Sequence, residues 1–218
     1  MKRFVIIGLG NFGSATAEAL HQAGHDVTTV DTNEDLVDRM ARRVTRAAVG
    51  DGRSIDVLRK IGAEGADAGI VSTGDDITSS ILAALSLRDL GVPEIYVKVI
   101  SQDHARVLEK IGVTETIFPE RESGIRLATR IASRGVLNYI RIGPDFGIQE
   151  MAVPESWIGQ SLRALELPRH YKISIIAVHD VLQDEIMPVP NPDAPLKDSD
   201  TLFILGRDAD LGRIAKIV

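Results

Sequence analysis

Three glycines near the N-terminus have the spacing G-x-G-x-x-G, which suits the binding of phosphate groups. Gly8, Gly10 and Gly13 come directly after a short apolar run and directly before a helix-like pattern. In that setting the first glycine makes a tight turn, the second lets a phosphate approach the backbone, and the third lets the helix pack on the strand. The N-terminus of the helix adds free N–H groups and positive partial charge. The stretch therefore predicts a site for the phosphates of a nucleotide.

An acidic residue downstream of the glycines supports the same interpretation. Asp31 closes the second apolar run, 18 residues after Gly13. A carboxylate at this place accepts hydrogen bonds from the hydroxyls of an adenosine ribose and repels a 2′-phosphate. We therefore expect a nucleotide that contains adenosine, and NADP is disfavoured. The glycines alone leave open whether this nucleotide is a nicotinamide cofactor for chemistry or a ligand that the protein senses.

Residues that would catalyse a reaction on such a cofactor are not evident. A dehydrogenase needs an acid or a base close to the nicotinamide ring. The C-terminal part offers only His170 and His179 for this role, and His179 follows an apolar strand, where a structural histidine is more common. The sequence contains no G-x-S-x-G, H-E-x-x-H or Walker motif. We expect that the protein is not an enzyme, and a small NAD-dependent oxidoreductase is the alternative.

The elements that must position these residues alternate regularly along the first part of the chain. Six apolar runs are each followed by a helical pattern, which predicts a Rossmann-like doubly wound parallel sheet. The predicted strands are Phe4–Ile7, Val27–Val30, Ala47–Val49, Ala68–Ser72, Ile95–Val99 and Thr116–Phe118. The predicted helices are Phe12–Ala23, Asp35–Arg43, Ser54–Ile61, Ile77–Leu90, Ala105–Ile111 and Gly124–Ser133.

The pattern changes after Arg134, where strand-like runs follow one another closely. This part predicts a small α+β domain. We expect a nucleotide-binding domain at 1–135 and a second domain at 136–218. The strands of the second domain are predicted at Tyr139–Ile142, Gly147–Val153, Ile173–Val178 and Leu202–Leu205, and its helices near Leu162 and at Ala209–Ile217.

Composition limits the classes of function. The 218 residues carry a formal net charge of −6, which argues against a sequence-independent grip on nucleic acid or anionic lipid. The chain has no Cys, which excludes disulfides, thiolate catalysis and Cys-based zinc sites. No stretch approaches the roughly 20 apolar residues that span a bilayer. We expect a cytoplasmic protein whose membrane role, if any, depends on a partner.

A set of ordered motifs extends this interpretation. The sequence contains "GLGNFG", "VD" at Val30–Asp31, "GDG" at Gly50–Gly52, "VSTGDD" at Val71–Asp76 and "IFPERESG" at Ile117–Gly124. In this order they resemble a regulator-of-potassium-conductance (RCK, or KTN) domain, and the part from about Met151 resembles the C-terminal domain of that family. The resemblance implies a nucleotide-sensing gating subunit of a Trk/Ktr-type bacterial potassium uptake system. It also implies homodimers that form an octameric ring on an integral-membrane potassium transporter, at the inner face of the membrane.

The same resemblance assigns a nucleotide pocket for NAD(H) or ATP/ADP, residue by residue. Lys98 would supply positive charge for phosphate, with a solvated lysine at a strand end as the alternative. His104 is a further candidate, with a surface histidine at a helix start as the alternative. The remaining pocket residues are Gly8, Gly10, Asn11, Phe12, Gly13, Asp31, Thr32, Asp51, Gly52, Ser72, Thr73 and Gly74.

Three further implications concern cations, ligand identity and a second effector. Glu120 would help to hold a divalent cation, Mg or Ca, at a dimer interface, and the alternative is an acidic residue that stabilises a helix N-terminus.

Asn11 stands where several ATP-responsive relatives have an Arg that reaches a terminal phosphate across the dimer. NAD(H) therefore remains open as the ligand. In the C-terminal domain, cyclic di-AMP would contact Arg169, Ile175 and Ile176, where core packing of the strand is the alternative.

Overall fold

The computed structural model describes residues 1–132 and 135–217, which form two compact units. The first unit covers Met1–Glu120 and the second Arg121–Val218. This division lies N-terminal to the boundary expected between residues 135 and 136, because most of the helix Pro119–Ala132 falls in the second unit. No helix among the described residues is long and apolar enough to cross a membrane.

Six parallel strands form the sheet of the first unit: β1 (Arg3–Ile7), β2 (Asp26–Asp31), β3 (Arg46–Val49), β4 (Ala68–Val71), β5 (Glu94–Lys98) and β6 (Glu115–Ile117). Their order is β3-β2-β1-β4-β5-β6. The predicted Rossmann-like doubly wound sheet is confirmed. The order reverses between β1 and β4, and ligands of such sheets bind outside the carboxyl ends of the strands at that point.

Helices follow the strands and cover both faces of this sheet. Ile6 of β1 packs in a cluster with Ala17 and Val37, whereas its neighbours Val5 and Ile7 belong to the cluster on the opposite face. Alternate side chains of a strand point to opposite faces, so both faces of β1 are buried. The helices are α1 (Asn11–Gln22), α2 (Glu34–Met40), α3 (Ile55–Lys60), α4 (Ile77–Asp89), α5 (Gln102–Ile111) and α6 (Pro119–Ala132).

The second unit is built on a five-stranded antiparallel sheet, which confirms the predicted α+β type. Its strands are β7 (Val136–Gly143), β8 (Phe146–Ala152), β9 (Ser174–Asp180), β10 (Glu185–Pro188) and β11 (Asp200–Arg207), in the order β10-β9-β11-β8-β7. The short helices are α7 (Leu162–Leu165), α8 (Leu167–Tyr171) and α9 (Asp208–Ile214). Trp157, Leu202 and Leu211 are buried in its core.

Three elements differ from the sequence-based expectation. Strand β10 was not expected, because it is an edge strand whose side chains are all exposed and therefore shows no apolar pattern. Helix α8 has only five residues and is likewise additional. Helix α6 begins at Pro119 rather than at Gly124, since proline suits the first turn of a helix; its expected end at Ser133 lies outside the described residues.

Candidate functional site

An open cavity of about 390 Å³ lies at the carboxyl ends of β1, β2, β3 and β4. Nine residues predicted to bind nucleotide line this cavity: Gly8, Gly10, Asp31, Thr32, Asp51, Gly52, Ser72, Thr73 and Gly74. Six further lining residues are not among the predicted ones: Ile7, Val30, Gly50, Arg53, Asp76 and Ser79. The parallel sheet thus brings segments that are distant in sequence to one cavity, at the switch point of its strand order.

The three glycines of the first motif play different structural parts. Gly8 has a φ of +93°, and a Cβ atom there would lie 2.2 Å from the carbonyl oxygen of Ser72. A Cβ atom on Gly13 would lie 1.9 Å from the carbonyl oxygen of Gly8, so this glycine allows helix α1 to start against the turn. A Cβ atom on Gly10 would meet no atom within 4 Å. Gly8 and Gly13 are therefore required by the fold, whereas Gly10 leaves open space in the cavity.

Helix α1 begins without a side-chain cap. Its N-cap residue is Gly10, which offers no side-chain acceptor to the first N–H groups. The next four helices each begin with a side chain that accepts a hydrogen bond from their first turn, and these capping residues are Asn33, Ser54, Asp76 and Ser101. Since the first N–H groups of a helix have no partner within it, those of α1 are available to an anion beside Gly10.

Asp31 joins the glycine loop to the end of β2. Its Oδ2 accepts a hydrogen bond from the N–H of Leu9 at 2.6 Å, and its Oδ1 accepts one from the N–H of Asn33 at 2.8 Å. Each carboxylate oxygen can accept a further hydrogen bond. The carboxylate therefore stabilises the loop and can also receive a ribose hydroxyl from the cavity.

A second carboxylate in the cavity is paired with a cation. The guanidinium of Arg53 holds Asp51 in a fork, with its Nη2 at 2.7 Å from Oδ2 and its Nε at 2.9 Å from Oδ1. Hydrogen bonds from Arg53 lower the pKa of Asp51, and Asp51 in turn raises the pKa of Arg53. The side chains of Asp51 and Arg53 are 40% and 48% exposed, so the ion pair adds little to stability. The positive charge of Arg53 offsets the negative charge of Asp51 at this place in the cavity.

A third carboxylate comes from the start of helix α4. Asp76 caps this helix and accepts hydrogen bonds from both the N–H and the hydroxyl of Ser79, which lower the pKa of Asp76. Arg53 lies close enough to contribute to the same effect. The first turn of α4 therefore lies at the cavity and is already satisfied by its own side chains.

Five of the predicted binding residues do not line this cavity. Asn11, Phe12 and Gly13 form the first turn of α1, beside Gly10. Lys98 is the last residue of β5, and His104 lies in the first turn of α5. The cavity therefore covers the strand ends expected to hold the adenosine half of a nucleotide.

Lys98 and Glu120 form an ion pair. The Nζ of Lys98 lies 2.7 Å from the Oε1 of Glu120, and this contact lowers the pKa of Glu120. The Lys98 side chain is only 13% exposed, so the alternative of a solvated lysine is wrong. Among the residues that the structure describes, no group of three or more His, Asp and Glu side chains is arranged to hold a metal ion.

His104 is buried, so the alternative of a surface histidine at a helix start is wrong. The residue is 2% exposed, and within the described ranges neither ring nitrogen has a hydrogen-bond partner. Burial lowers the pKa of His104, because a protonated ring would lose its hydration.

We expect this histidine to make stability depend on pH. Below its ordinary pKa near 6.5 the unfolded chain binds a proton that the folded chain does not, so stability falls as pH falls. The loss due to His104 develops as the pH falls through this value and is at most about 1.4 kcal/mol for each pH unit. Urea unfolding at about pH 7.5 and about pH 5.5 should show that His104→Leu reduces this dependence. His21→Leu, which changes an exposed histidine, is the control, and an equal reduction in that variant would contradict the prediction.

The residues proposed for cyclic di-AMP lie in the second unit. Arg169 on α8 forms an ion pair with Glu166 at 3.1 Å. On β9, Ile175 packs against the core, whereas Ile176 is 36% exposed. Of the two histidines considered for catalysis, His179 lies 3.2 Å from Asp184 and His170 lies 3.6 Å from Glu166. Of the two adjacent isoleucines, Ile176 therefore presents the larger aliphatic surface to a ligand.

Sequence reasoning missed residues that lie within or directly after motifs it had quoted. Arg53 directly follows "GDG", and Asp76 ends "VSTGDD". The sequence D-x-x-S at Asp76–Ser79 is a capping signal that indicates a helix start at the end of β4. Arg53 carried no such signal, and its pairing with Asp51, two residues earlier, is seen only in the structure.

Comparison with known proteins agrees with this architecture. The family model of the TrkA-N domain matches residues 4–119, and that of the TrkA-C domain matches residues 148–218. The Ktr system potassium uptake protein A of Bacillus subtilis (strain 168) is 32% identical over 212 residues, which cover 97% of this chain and 95% of that protein. The Ktr system potassium uptake protein C of the same strain is 33% identical over 217 residues, 100% of this chain and 97% of that protein.

Solved structures of one channel share the fold. The RCK domain of GsuK superposes with a TM-score of 0.67 at 17% identity, over 100% of this chain and 47% of that chain. The GsuK channel bound to NAD gives a TM-score of 0.66 at 17% identity, over 99% of this chain and 39% of that chain. The chain thus spans less than half the length of these two structures, and the likeness establishes the fold.

Proposed function

Because the chain belongs to the family of proteins with a TrkA-N and a TrkA-C domain, which includes the Ktr potassium uptake proteins, we propose that it is a nucleotide-sensing regulatory subunit of a potassium uptake system. The resemblance to the RCK family drawn from the motifs is confirmed by the same matches. The ligand is NAD(H) or ATP/ADP, and the partner is a separate membrane subunit that translocates potassium.

The observation that carries this proposal is the cavity beside an uncapped helix N-terminus. The free N–H groups of α1 lie next to the open space at Gly10, where a pyrophosphate fits. Asp31 stands at the end of β2, where it can receive the ribose hydroxyls. Asp51 and Gly52 line the part beyond Asp31, where we place the adenine.

Helix α4 is the proposed link between the nucleotide cavity and the octameric ring implied by the family resemblance. Its first turn contributes Asp76 and Ser79 to the cavity, and its exposed surface includes Ile77 and Leu82, at 38% and 42% exposure. We propose that this helix and the segment after Phe118 carry the contacts of a homodimer, from which an octameric ring assembles. A nucleotide can shift the ring between two shapes only by binding one of them more tightly than the other.

Glu120 is proposed to take part in cation binding only once a nucleotide is present. In the described structure its carboxylate is neutralised by Lys98. Phosphate oxygens of a bound nucleotide would compete for the ammonium of Lys98 and would supply further oxygen ligands for Mg²⁺ or Ca²⁺. Cyclic di-AMP is proposed as an effector of the second unit, on the exposed aliphatic surface at Ile176.

The experiment measures binding and potassium uptake together. Calorimetry of the purified chain with NADH, NAD⁺, ATP, ADP and cyclic di-AMP should show at least one nucleotide bound with micromolar affinity. Co-expression with a Trk/Ktr membrane subunit in a bacterium lacking potassium uptake should restore growth at low potassium. Substitutions in the nucleotide site should reduce this growth. Arg106→Ala, which changes an exposed side chain of α5, is the control and should behave as the unaltered chain.

Two outcomes would contradict the proposal. The first is the absence of binding by every nucleotide tested. The second is turnover of NADH with a small substrate in a steady-state assay, which would favour the oxidoreductase. Asp31, Asp51 and Asp76 already accept hydrogen bonds within the protein. These carboxylates therefore give no support to the oxidoreductase, which would need an acid or base positioned for hydride transfer.

A further inference from the structure

A second cavity of about 430 Å³ lies at the amino ends of β1, β2 and β3, at the sheet edge opposite the first cavity. Its volume is within the range of roughly 300–1,000 Å³ that small-molecule sites occupy. Side chains of the three strands form one side of it, and residues at the end of α3 and after that helix form another. This amino-edge cavity is lined by Arg3, Val5, Thr28, Arg46, Ile61 and Ala66, among others.

Strand register brings two arginines to one face of the sheet. Val5 on β1 is the register partner of Thr28 on β2, which in turn is the register partner of Arg46 on β3. Partners on neighbouring strands point to the same face, and so does Arg3, two residues before Val5. Neighbouring strands lie about 4.8 Å apart. The side chains of Arg3 and Arg46 can therefore reach a ligand above β2 from both sides.

The guanidinium of Arg3 lies beside a glycine rather than a carboxylate. Asp26 on β2 is the register partner of Arg3, yet the two side chains form no ion pair in the described structure. The guanidinium lies against Gly65 instead, where an added Cβ atom would be 2.7 Å from its Cζ and 2.9 Å from its Nη1. The three atoms nearest to such a Cβ all belong to Arg3. The absence of a side chain at position 65 therefore leaves the room that this guanidinium occupies.

Both guanidiniums are available to an anion. Within the described part of the chain, the side chains of Arg3 and Arg46 form no ion pair and no hydrogen bond. By contrast, the exposed Arg43 is paired with Glu18 at 2.7 Å. Asp26 is the one acidic residue among the described lining residues, so the lining carries a net charge of +1. This local excess of positive charge stands out in a chain with a formal net charge of −6.

We propose that the amino-edge cavity binds a small organic phosphate, whose phosphate group lies between Arg3 and Arg46. A carboxylate has two oxygens, which one guanidinium fork already fills, whereas a phosphate monoester has three terminal oxygens and can face both arginines. The hydroxyl of Thr28 stands between them as a further donor. Ile61 and Ala66 provide an apolar wall for the organic part. The site is separate from the nucleotide cavity and does not depend on the proposed function.

Calorimetry of the intact chain with glycerol phosphate as the probe tests this site. We expect binding with a Kd of about 1 mM or below. Arg3→Gln and Arg46→Gln should each weaken binding about tenfold, since each removes charge-assisted hydrogen bonds. Asp26→Asn should strengthen binding about threefold, because it removes the opposing charge. Gly65→Ala should weaken binding about threefold or more although the charge is unchanged, because the methyl group displaces the guanidinium of Arg3.

Two further variants serve as controls. Arg106→Gln removes an exposed arginine of α5, and Gly10→Ala adds a methyl group to the other cavity. Both should bind the probe as the unaltered chain does. The proposal is wrong if the probe does not bind, or if Arg3→Gln and Arg46→Gln bind it no more weakly than Arg106→Gln. It is also wrong if only Gly10→Ala loses binding, which would put the probe in the nucleotide cavity.

These outcomes are separate from the test of the proposed function, because none of them concerns the binding of a nucleotide. Circular dichroism establishes that each variant is folded. Arg3→Gln and Arg46→Gln change exposed side chains and therefore keep the test decisive if Gly65→Ala is unstable.

Discussion

Replacing Gly13 with alanine is expected to unfold the first unit or to destabilise it by about 3 kcal/mol or more. The added methyl group would lie 1.9 Å from the carbonyl oxygen of Gly8 and 3.4 Å from the side chain of Ser72. Neither the tight turn at Gly8 nor strand β4 can move away without breaking the sheet contacts on both sides. Thermal and urea unfolding of the purified variant measure the effect.

The matched control is the same substitution three residues earlier. Gly10→Ala places its methyl group in open space, at a φ of −65° that alanine adopts readily. We expect this variant to unfold at the same urea concentration as the unaltered chain but to bind NADH at least about tenfold more weakly, because the methyl group occupies the approach of the pyrophosphate. Equal destabilisation by the two substitutions would contradict the separate roles of these glycines.

Asp31→Asn is expected to affect stability and binding together. Asparagine keeps one carbonyl acceptor and replaces the other oxygen with a donor. One of the two backbone donors now satisfied, the N–H of Leu9 or that of Asn33, would face an NH₂ group. We expect a loss of about 1–2 kcal/mol in the free energy of unfolding. The affinity for NADH should fall about tenfold or more, since a ribose hydroxyl also loses its charged acceptor.

The control for Asp31→Asn is the same change at Asp38. This residue lies on the exposed side of α2, away from the cavity. We expect Asp38→Asn to leave both urea unfolding and NADH binding unchanged within error. A loss of NADH affinity in Asp31→Asn without any loss of stability would show that the hydrogen bond to Leu9 does not stabilise the loop.

The architecture of the first unit followed from local patterns. Each apolar run is long enough for one strand, and the helical patterns of α2 to α5 have their own capping residues, as at Ser54 and Ser101. These signals lie within a few residues of one another, so the sequence carries them without reference to the rest of the chain. Strand β10 was not predicted, because an exposed edge strand that ends at Pro188 lacks the apolar run by which the other strands were recognised.

Some features of the candidate site were likewise predicted from local sequence, and others depended on tertiary contacts. The spacing of Gly8, Gly10 and Gly13 and the acid at Asp31 were sufficient by themselves to predict a cavity for adenosine and phosphate, because the geometry of a strand, turn and helix is local. The tertiary structure alone decided that Lys98 is bound to Glu120 and that His104 is buried. Charge and burial at these positions depend on which side chains of other segments come within a few ångströms, and the sheet order sets those neighbours.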